Sequence, residues 1–183
     1  MLDVKLKVYS PILADYLAWL FPPREPGGPL IVRAGNPMGK LLVAHCRVSD
    51  TPVKAVDPEE GSKTKPIWFD IELPDNDATW PLRNKWLWYS PADIKALNMA
   101  LRATFDLDFG LYYMKGISQG LMKKDVVTAF VVSRSLFSKD SFESLHKRAY
   151  RKDLVSLERR IKQLLDKATY IDKNINLTGL NDD

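Results

Sequence analysis

Near the start of the chain Val4, Leu6 and Val8 alternate with Lys5 and Lys7, the two-residue period of a strand with one buried face. Ser10-Pro11 then sets a capping residue before a proline at the first helical position, and Ile12, Leu13, Tyr16, Leu17, Leu20 and Phe21 recur on one helical face until Pro22-Pro23 ends it. Gly27-Gly28-Pro29 turns into the apolar run 30–32, which is too short to bury as a helix and is predicted as a strand. Asn36-Pro37 repeats the cap-and-proline signal, and behind it Leu41, Leu42, His45 and Val48 share a helical face, with a strand over the same stretch as the alternative. Residues 49–66 hold Pro52, Pro58, Gly61 and Pro66 among charges and predict a loop. The clearest strand is 67–73, where Ile67, Phe69, Ile71 and Leu73 alternate with Trp68, Asp70 and Glu72.

Ser90-Pro91-Ala92-Asp93 is a helix start, followed by Ile94, Leu97, Leu101 and Phe105 at helical spacing. Residues 105–114 fit both an alternating strand and a helix broken around Gly110. Residues 125–137 have strand propensity in 126–132 but helix length and helical neighbours, and we assign them to a buried helix. From Ser141 a further helix is predicted, with Asp140 as N-cap and Glu143 completing an approximate capping box. Beyond it Tyr150, Leu154, Leu157, Ile161, Leu164, Ala168 and Ile171 alternate spacings of four and three, a narrow heptad seam. The pattern predicts an α+β fold. A small mixed sheet containing 3–9 and 67–73 is packed by helices in residues 1–120, followed by a helical region over 121–173 that ends in a long basic helix, and by a polar tail over 174–183.

Composition sharpens this division. All five tryptophans and eleven of the twelve prolines precede residue 90, so the halves differ in kind. Residues 1–120 balance fourteen Lys and Arg against fourteen Asp and Glu, whereas 121–173 carry thirteen against seven. A local cationic excess on helices points to a polyanionic partner. No apolar run approaches the roughly 20 residues that span a bilayer, and the alternating N-terminus shows no secretory signal, which predicts a soluble, cytoplasmic chain. One cysteine, Cys46, excludes an intramolecular disulfide and a cysteine-rich zinc site, and two histidines leave few metal ligands, so no metal or cofactor is expected.

Helix 125–137, the three-residue turn Ser138-Lys139-Asp140 and a second capped helix have the spacing of a helix-turn-helix unit. With Phe142, Leu145 and Ala149 turned inward, Ser144, Lys147, Arg148 and Arg151 form an outward stripe. That stripe suits nucleic acid: Lys and Arg neutralise phosphates, Arg also pairs with guanine, and Ser144 or His146 adds hydrogen bonds. Lys152, Arg159, Arg160 and Lys162 extend the positive surface, and Lys123, Lys124 and Lys139 are placed against flanking phosphates. The competing account is a solvated face, because Asp153, Glu158 and Asp166 stand at intrahelical pairing distance. The seam packs against its own chain, or holds a second copy or a partner helix.

Other chemistry is weaker. Gly35-Asn-Pro-Met-Gly39-Lys40 lacks the glycine spacing and the Ser or Thr of a phosphate-binding loop. Asp70 and Glu72, with Asp75 and Asp77, raise a metal-dependent nuclease reading, but no lysine follows at the common spacing. His45-Cys46 and His146 show no partner in sequence and read as structural. Trp68, Trp80, Trp86, Trp88 and Tyr89 form either a base-stacking platform or, as we read them, core packing.

The run Ile67-Trp-Phe-Asp-Ile-Glu-Leu-Pro74, then Leu87-Trp-Tyr-Ser-Pro91, a helix to Phe105, Lys123-Lys-Asp-Val-Val, Ala129-Phe130 and the basic stretch 148–152 together resemble small uncharacterised proteins of phages and conjugative elements of gut anaerobic bacteria. The resemblance covers residues 67–155 and carries no site residues. It implies an accessory protein of a mobile element in a bacterial host cell. The expectation is therefore noncatalytic binding of DNA or RNA through the basic helix, DNA first, with assembly through the seam as the alternative.

Overall fold

The computed structural model describes residues 2–53, 66–77, 79–138 and 141–149, together with Arg159, Lys162, Gln163, Asp166, Lys167 and Tyr170. The protein is α+β. In chain order the elements are β1 (Asp3–Val8), α1 (Pro11–Leu20), β2 (Leu30–Ile31), α2 (Pro37–Ala44), β3 (Arg47–Ser49), β4 (Ile67–Glu72), β5 (Trp86–Trp88), α3 (Pro91–Ser118), α4 (Lys123–Ser133) and α5 (Ser141–Ala149). Two compact units result, Met1–Asp108 with Val132–Lys139, and Phe109–Val131 with Asp140–Asp183. The division falls within α3 and α4, whereas composition alone suggests one at residue 120.

In the first unit β4 is the central strand of a sheet ordered β1-β4-β2. It pairs antiparallel with β1 from Asp3↔Glu72 to Val8↔Ile67, and parallel with β2 at Leu30↔Ile71. This register sets Val4 opposite Ile71 and Leu6 opposite Phe69. Val4, Leu6, Val8 and Ile71 are buried, and Lys5 faces Asp70 on the other side, as alternation predicts. Lys7 departs from the pattern: it is buried, with its ammonium 5.7 Å from the Tyr9 ring centre and 5.4 Å from that of Trp68. Flat rings cover the lysine stem and attract its charge, so the position tolerates a cation that alternation alone would send to water.

Asn36 caps α2 through its side chain, accepting from the backbone N–H of Met38 at 2.8 Å. The helix ends at Ala44, not at Val48 as its apolar spacing suggests. Residues 47–49 pair instead with β5, and Val48 is 47% exposed. A cross-strand partner found 39 residues downstream, at Leu87, overrides a local helical period.

Residues 105–114 are helical, inside the 28-residue α3. Phe109 and Tyr113 lie four residues apart and are fully buried, which explains why an apparently alternating run continues the helix through Gly110. In the second unit Gly120, at φ 77°, closes α3: its N–H reaches the Ile117 carbonyl and that of Leu121 reaches Gly116, the paired bonds of a Schellman ending. The chain then returns as α4, whose strand-prone residues Val126, Val127 and Phe130 are buried in helical form. The Phe130 ring meets those of Phe109 and Tyr112 edge to face at 5.1 and 5.3 Å.

The connection from α4 to α5 is residues 134–140, longer than the three-residue turn that a helix-turn-helix unit requires. Its course has a cause in the first unit. Arg134 donates to both Asp108 oxygens, at 2.9 and 3.1 Å, and lies 4.3 Å from the Trp19 ring centre, while the Ser138 N–H donates to Asp15 at 2.6 Å. These bonds hold a turn after α4, in which Ser135 adopts φ 52° and the Phe137 N–H donates to the Ser135 carbonyl.

Two glycines of the second unit give opposite expectations. A Cβ at Gly110 meets nothing within 4 Å, so Gly110→Ala raises stability by about 0.5–1 kcal/mol through helix propensity. A Cβ at Gly116 would lie 2.5 Å from Val126 Cγ2, so Gly116→Ala lowers stability by about 1–3 kcal/mol despite the same propensity gain. Urea unfolding of the two variants should show midpoints moving in opposite directions.

Candidate functional site

The residues expected to contact nucleic acid fall in the second unit where they are described. Ser144 and Lys147 are exposed on α5, and Leu145 and Ala149 are buried, as the inward and outward assignment predicts. Lys147 pairs with Glu143 at 3.6 Å, an exposed contact one helical turn apart that is worth only a few tenths of a kcal/mol. Arg148 is half-buried, with its guanidinium 5.5 Å from the Phe109 ring centre, so it also packs the unit. Lys124 is exposed and Lys123 half-buried at the start of α4. That end of a helix dipole is positive, so the two lysines do nothing for the helix itself. Lys139, Arg151, Lys152 and Arg160 lie outside the described residues, as do the seam positions Tyr150, Leu154, Leu157, Ile161, Leu164, Ala168 and Ile171. Arg159, Lys162, Gln163, Asp166, Lys167 and Tyr170 are helical and exposed, at spacings of three and one that trace one helix face.

The first unit holds a polar cluster that sequence reading missed. Asp93 closes the capping box of α3: the Ser90 N–H donates to Asp93 Oδ2 at 3.0 Å and the Asp93 N–H to Ser90 Oγ at 3.2 Å. The same carboxylate accepts from Arg47 Nε at 2.5 Å and Nη2 at 3.4 Å, and His45 Nδ1 lies 3.2 Å from Oδ1. Arg47 above all, then Ser90 and His45, hold the Asp93 carboxyl well below its ordinary range against the opposing effect of burial. An ionised carboxylate only accepts, so His45 Nδ1 is the donor in this contact. His45 therefore has a partner, 48 residues away in the chain, that no local motif announces.

Cys46 beside it is not an activated nucleophile. Burial, with a further contribution from Asp93, pushes its thiol up to about 11 against a bond from the Trp88 backbone, so it stays protonated at neutral pH. Of the four acidic residues considered for a nuclease, three lie against a base: Asp70 against Lys5, Glu72 against Arg24, and Asp75 against Arg83. Among the described residues no three His, Cys, Asp or Glu side chains gather as metal ligands. Gly39 has a packing reason, since a Cβ there would lie 2.5 Å from the Arg33 carbonyl oxygen.

The aromatic residues correct the core reading. Tyr89 is buried and donates its hydroxyl to the Leu42 carbonyl at 2.9 Å, but Trp68, Trp80 and Trp86 are 41%, 63% and 55% exposed. Strands of three residues leave β5 too short to cover both its faces, and Trp80 lies on a single 3-10 turn, Trp80–Leu82, stacked 4.0 Å from the Arg83 guanidinium. Arg83 pairs with Asp75 and Lys85 with Asp50, so these two cations add no uncompensated positive charge beside the rings. No helix among the described residues is long and apolar enough to cross a membrane.

No protein-family model, curated protein or solved structure matches this chain.

The polar cluster yields two pH expectations. Because the folded-state pKa of Asp93 is depressed, its contribution is fully present above the unfolded value near 3.8 and is lost as pH falls below it. Asp93→Asn should cost about 1–3 kcal/mol at neutral pH and flatten this part of the acid limb, read as urea midpoints between neutral and strongly acidic pH. Alkylation of Cys46 by iodoacetamide should be slower at pH 7 than for an unperturbed thiol by on the order of a hundred-fold, rising toward pH 11.

Proposed function

We propose that this protein is a noncatalytic nucleic-acid-binding accessory protein of a phage or mobile element, and that its ligand is DNA. The observation that carries the reading is the exposed helical surface of the second unit. Lys147 is exposed one helical turn from Glu143 on α5, Arg159, Lys162 and Lys167 are exposed helical residues with Asp166 among them, and Lys124 is exposed at a helix end where a cation weakens the helix. Ser144 contributes a hydrogen-bond donor for a phosphate, and Arg148, Arg151 and Lys152 continue the basic run along the sequence. The seven residues that separate α4 from α5, 134–140, argue for backbone contact along a charged face and against the groove geometry of a helix-turn-helix reader. In the first unit, by contrast, many of the charges are committed to one another.

A second reading, a protein-interaction component of a mobile-element assembly, is supported by a different observation. Val132 and Phe137 of the first unit are 61% and 74% exposed, and large exposed apolar side chains mark contact surfaces. The heptad seam is the other surface this reading would use.

Fluorescence anisotropy with labelled duplex and single-stranded DNA at two salt concentrations tests the first reading. Binding should weaken with salt at a log–log slope of about −3 to −4 for some four phosphate contacts. The exposed pair Lys147→Glu and Lys162→Glu should together lose at least ~100-fold in affinity with the melting temperature unchanged. Absence of binding at low salt eliminates the reading. A salt-indifferent stable oligomer by light scattering, with no DNA affinity, favours the second.

A further inference from the structure

The turn from α3 to α4 in the second unit puts four residues in succession where local physics disfavours them. Leu121 and Met122 are 52% and 69% exposed. The Met122 carbonyl accepts from the N–H groups of Asp125 and Val126, both at 3.0 Å, which makes Met122 the N-cap of α4. Ser, Thr, Asp or Asn there would offer a side-chain oxygen to the first N–H groups of the helix, and methionine offers none. Lys123 and Lys124 then occupy the first turn, at the positive end of the helix dipole. Local rules broken one after another at a single place mark a site that answers to function and not to stability.

The turn is also pinned from both sides. The Leu121 N–H donates to the Gly116 carbonyl at 3.1 Å and the Gly120 N–H to that of Ile117 at 2.9 Å, while the Met122 carbonyl starts α4. The two apolar side chains are therefore held out on a fixed backbone, and placing them against a ligand costs little further ordering. Around them stand the exposed Lys115, Ser118, Gln119 and Lys124, and Asp125 is the one acid in 115–125 against three lysines. The charge selects a polyanion, and the apolar pair decides which. A bilayer is a poor fit, because even a whole myristoyl chain gives only marginal membrane binding and Leu121 with Met122 carries fewer carbons. Duplex DNA fits both features: Leu and Met are among the side chains that wedge between base steps from the minor groove, while cations hold the phosphates on its rims.

We propose that the α3–α4 turn is a DNA-bending wedge. Leu121 and Met122 enter the minor groove at a flexible base step, Lys115 and Lys124 hold the phosphates beside it, and Ser118 and Gln119 hydrogen-bond to acceptors on the groove floor. This role rests on the DNA reading above and shares Lys124 with it, whereas the apolar contact and the bend go beyond it.

The test uses the full chain and a duplex of about 30 base pairs that carries a fluorophore at each end and 2-aminopurine beside a central TA step. At saturation the protein should raise both end-to-end energy transfer and 2-aminopurine fluorescence, and netropsin, which occupies the minor groove, should displace it. The double variant Leu121→Ser, Met122→Ser should lose both signals and about ten-fold in affinity, yet keep the salt slope, because apolar side chains release no counterions. It should melt no lower than the unsubstituted protein, since serine caps α4 where methionine does not. Binding without either signal, or signals that survive in the double variant, would overturn the wedge and leave the DNA reading standing. Absence of binding at low salt overturns both. Co-sedimentation with vesicles of phosphatidylserine and phosphatidylcholine that requires Leu121 and Met122, without any bending of DNA, would also overturn the wedge and assign the turn to a membrane surface.

Discussion

Asp108 joins three stretches of chain that are far apart in sequence. It sits on α3, accepts from the Tyr16 hydroxyl of α1 at 3.1 Å, and takes both arms of the Arg134 guanidinium from the segment that follows α4. The ions are only about a quarter or less exposed, and the Arg134 guanidinium also stacks on Trp19, which in turn stacks on Tyr16. A bidentate pair of this kind is costly to break because either partner left alone is a partly buried charge. It anchors the segment that follows α4, which with Val132 and Ser133 belongs to the first unit. Burial and the adjacent carboxylate together raise the Tyr16 pKa, which keeps its hydroxyl a donor across the physiological range.

At the other end of the same helix Asp93 does similar work through a different geometry. It starts α3 by capping and simultaneously binds Arg47, so the beginning of a long helix is tied to the first residue of β3. Two carboxylates about four turns apart thus connect one helix to elements that precede it and to one that follows. Within the second unit the demand is different. Gly116 brings α3 against Val126 of α4 at a separation that no other residue allows, and the aromatic rings of Phe109, Tyr112 and Phe130 fill the interface.

This division of labour bears on function. Charges of the first unit serve architecture: Asp108 with Arg134, Asp93 with Arg47, and Asp75 with Arg83 hold elements or turns in place. On the second unit Arg148 packs over the Phe109 ring. Exposed cations at helix positions are the side chains that the proposed polyanion contact would use.

The α+β class, β1 and β4, and the capped starts of α1, α2 and α3 were legible in the sequence, because each rests on a local period or on a capping pair within a few residues. The same holds for the inward set Leu145 and Ala149 and the outward set Ser144 and Lys147, which follow from helical geometry alone. What only the tertiary structure decided depends on partners distant in the chain. Val48 entered a strand because Leu87 paired with it, residues 105–114 stayed helical because Phe109 and Tyr113 were buried, and α4 stopped at Ser133 because Arg134 met Asp108. The exposure of Trp68, Trp80 and Trp86 and the His45–Asp93–Arg47 cluster have the same origin. Hydrophobic period reports how a segment buries its own faces, but not which remote carboxylate or strand will claim its polar groups, and those long-range pairings set both the length of the elements and the chemistry of the sites.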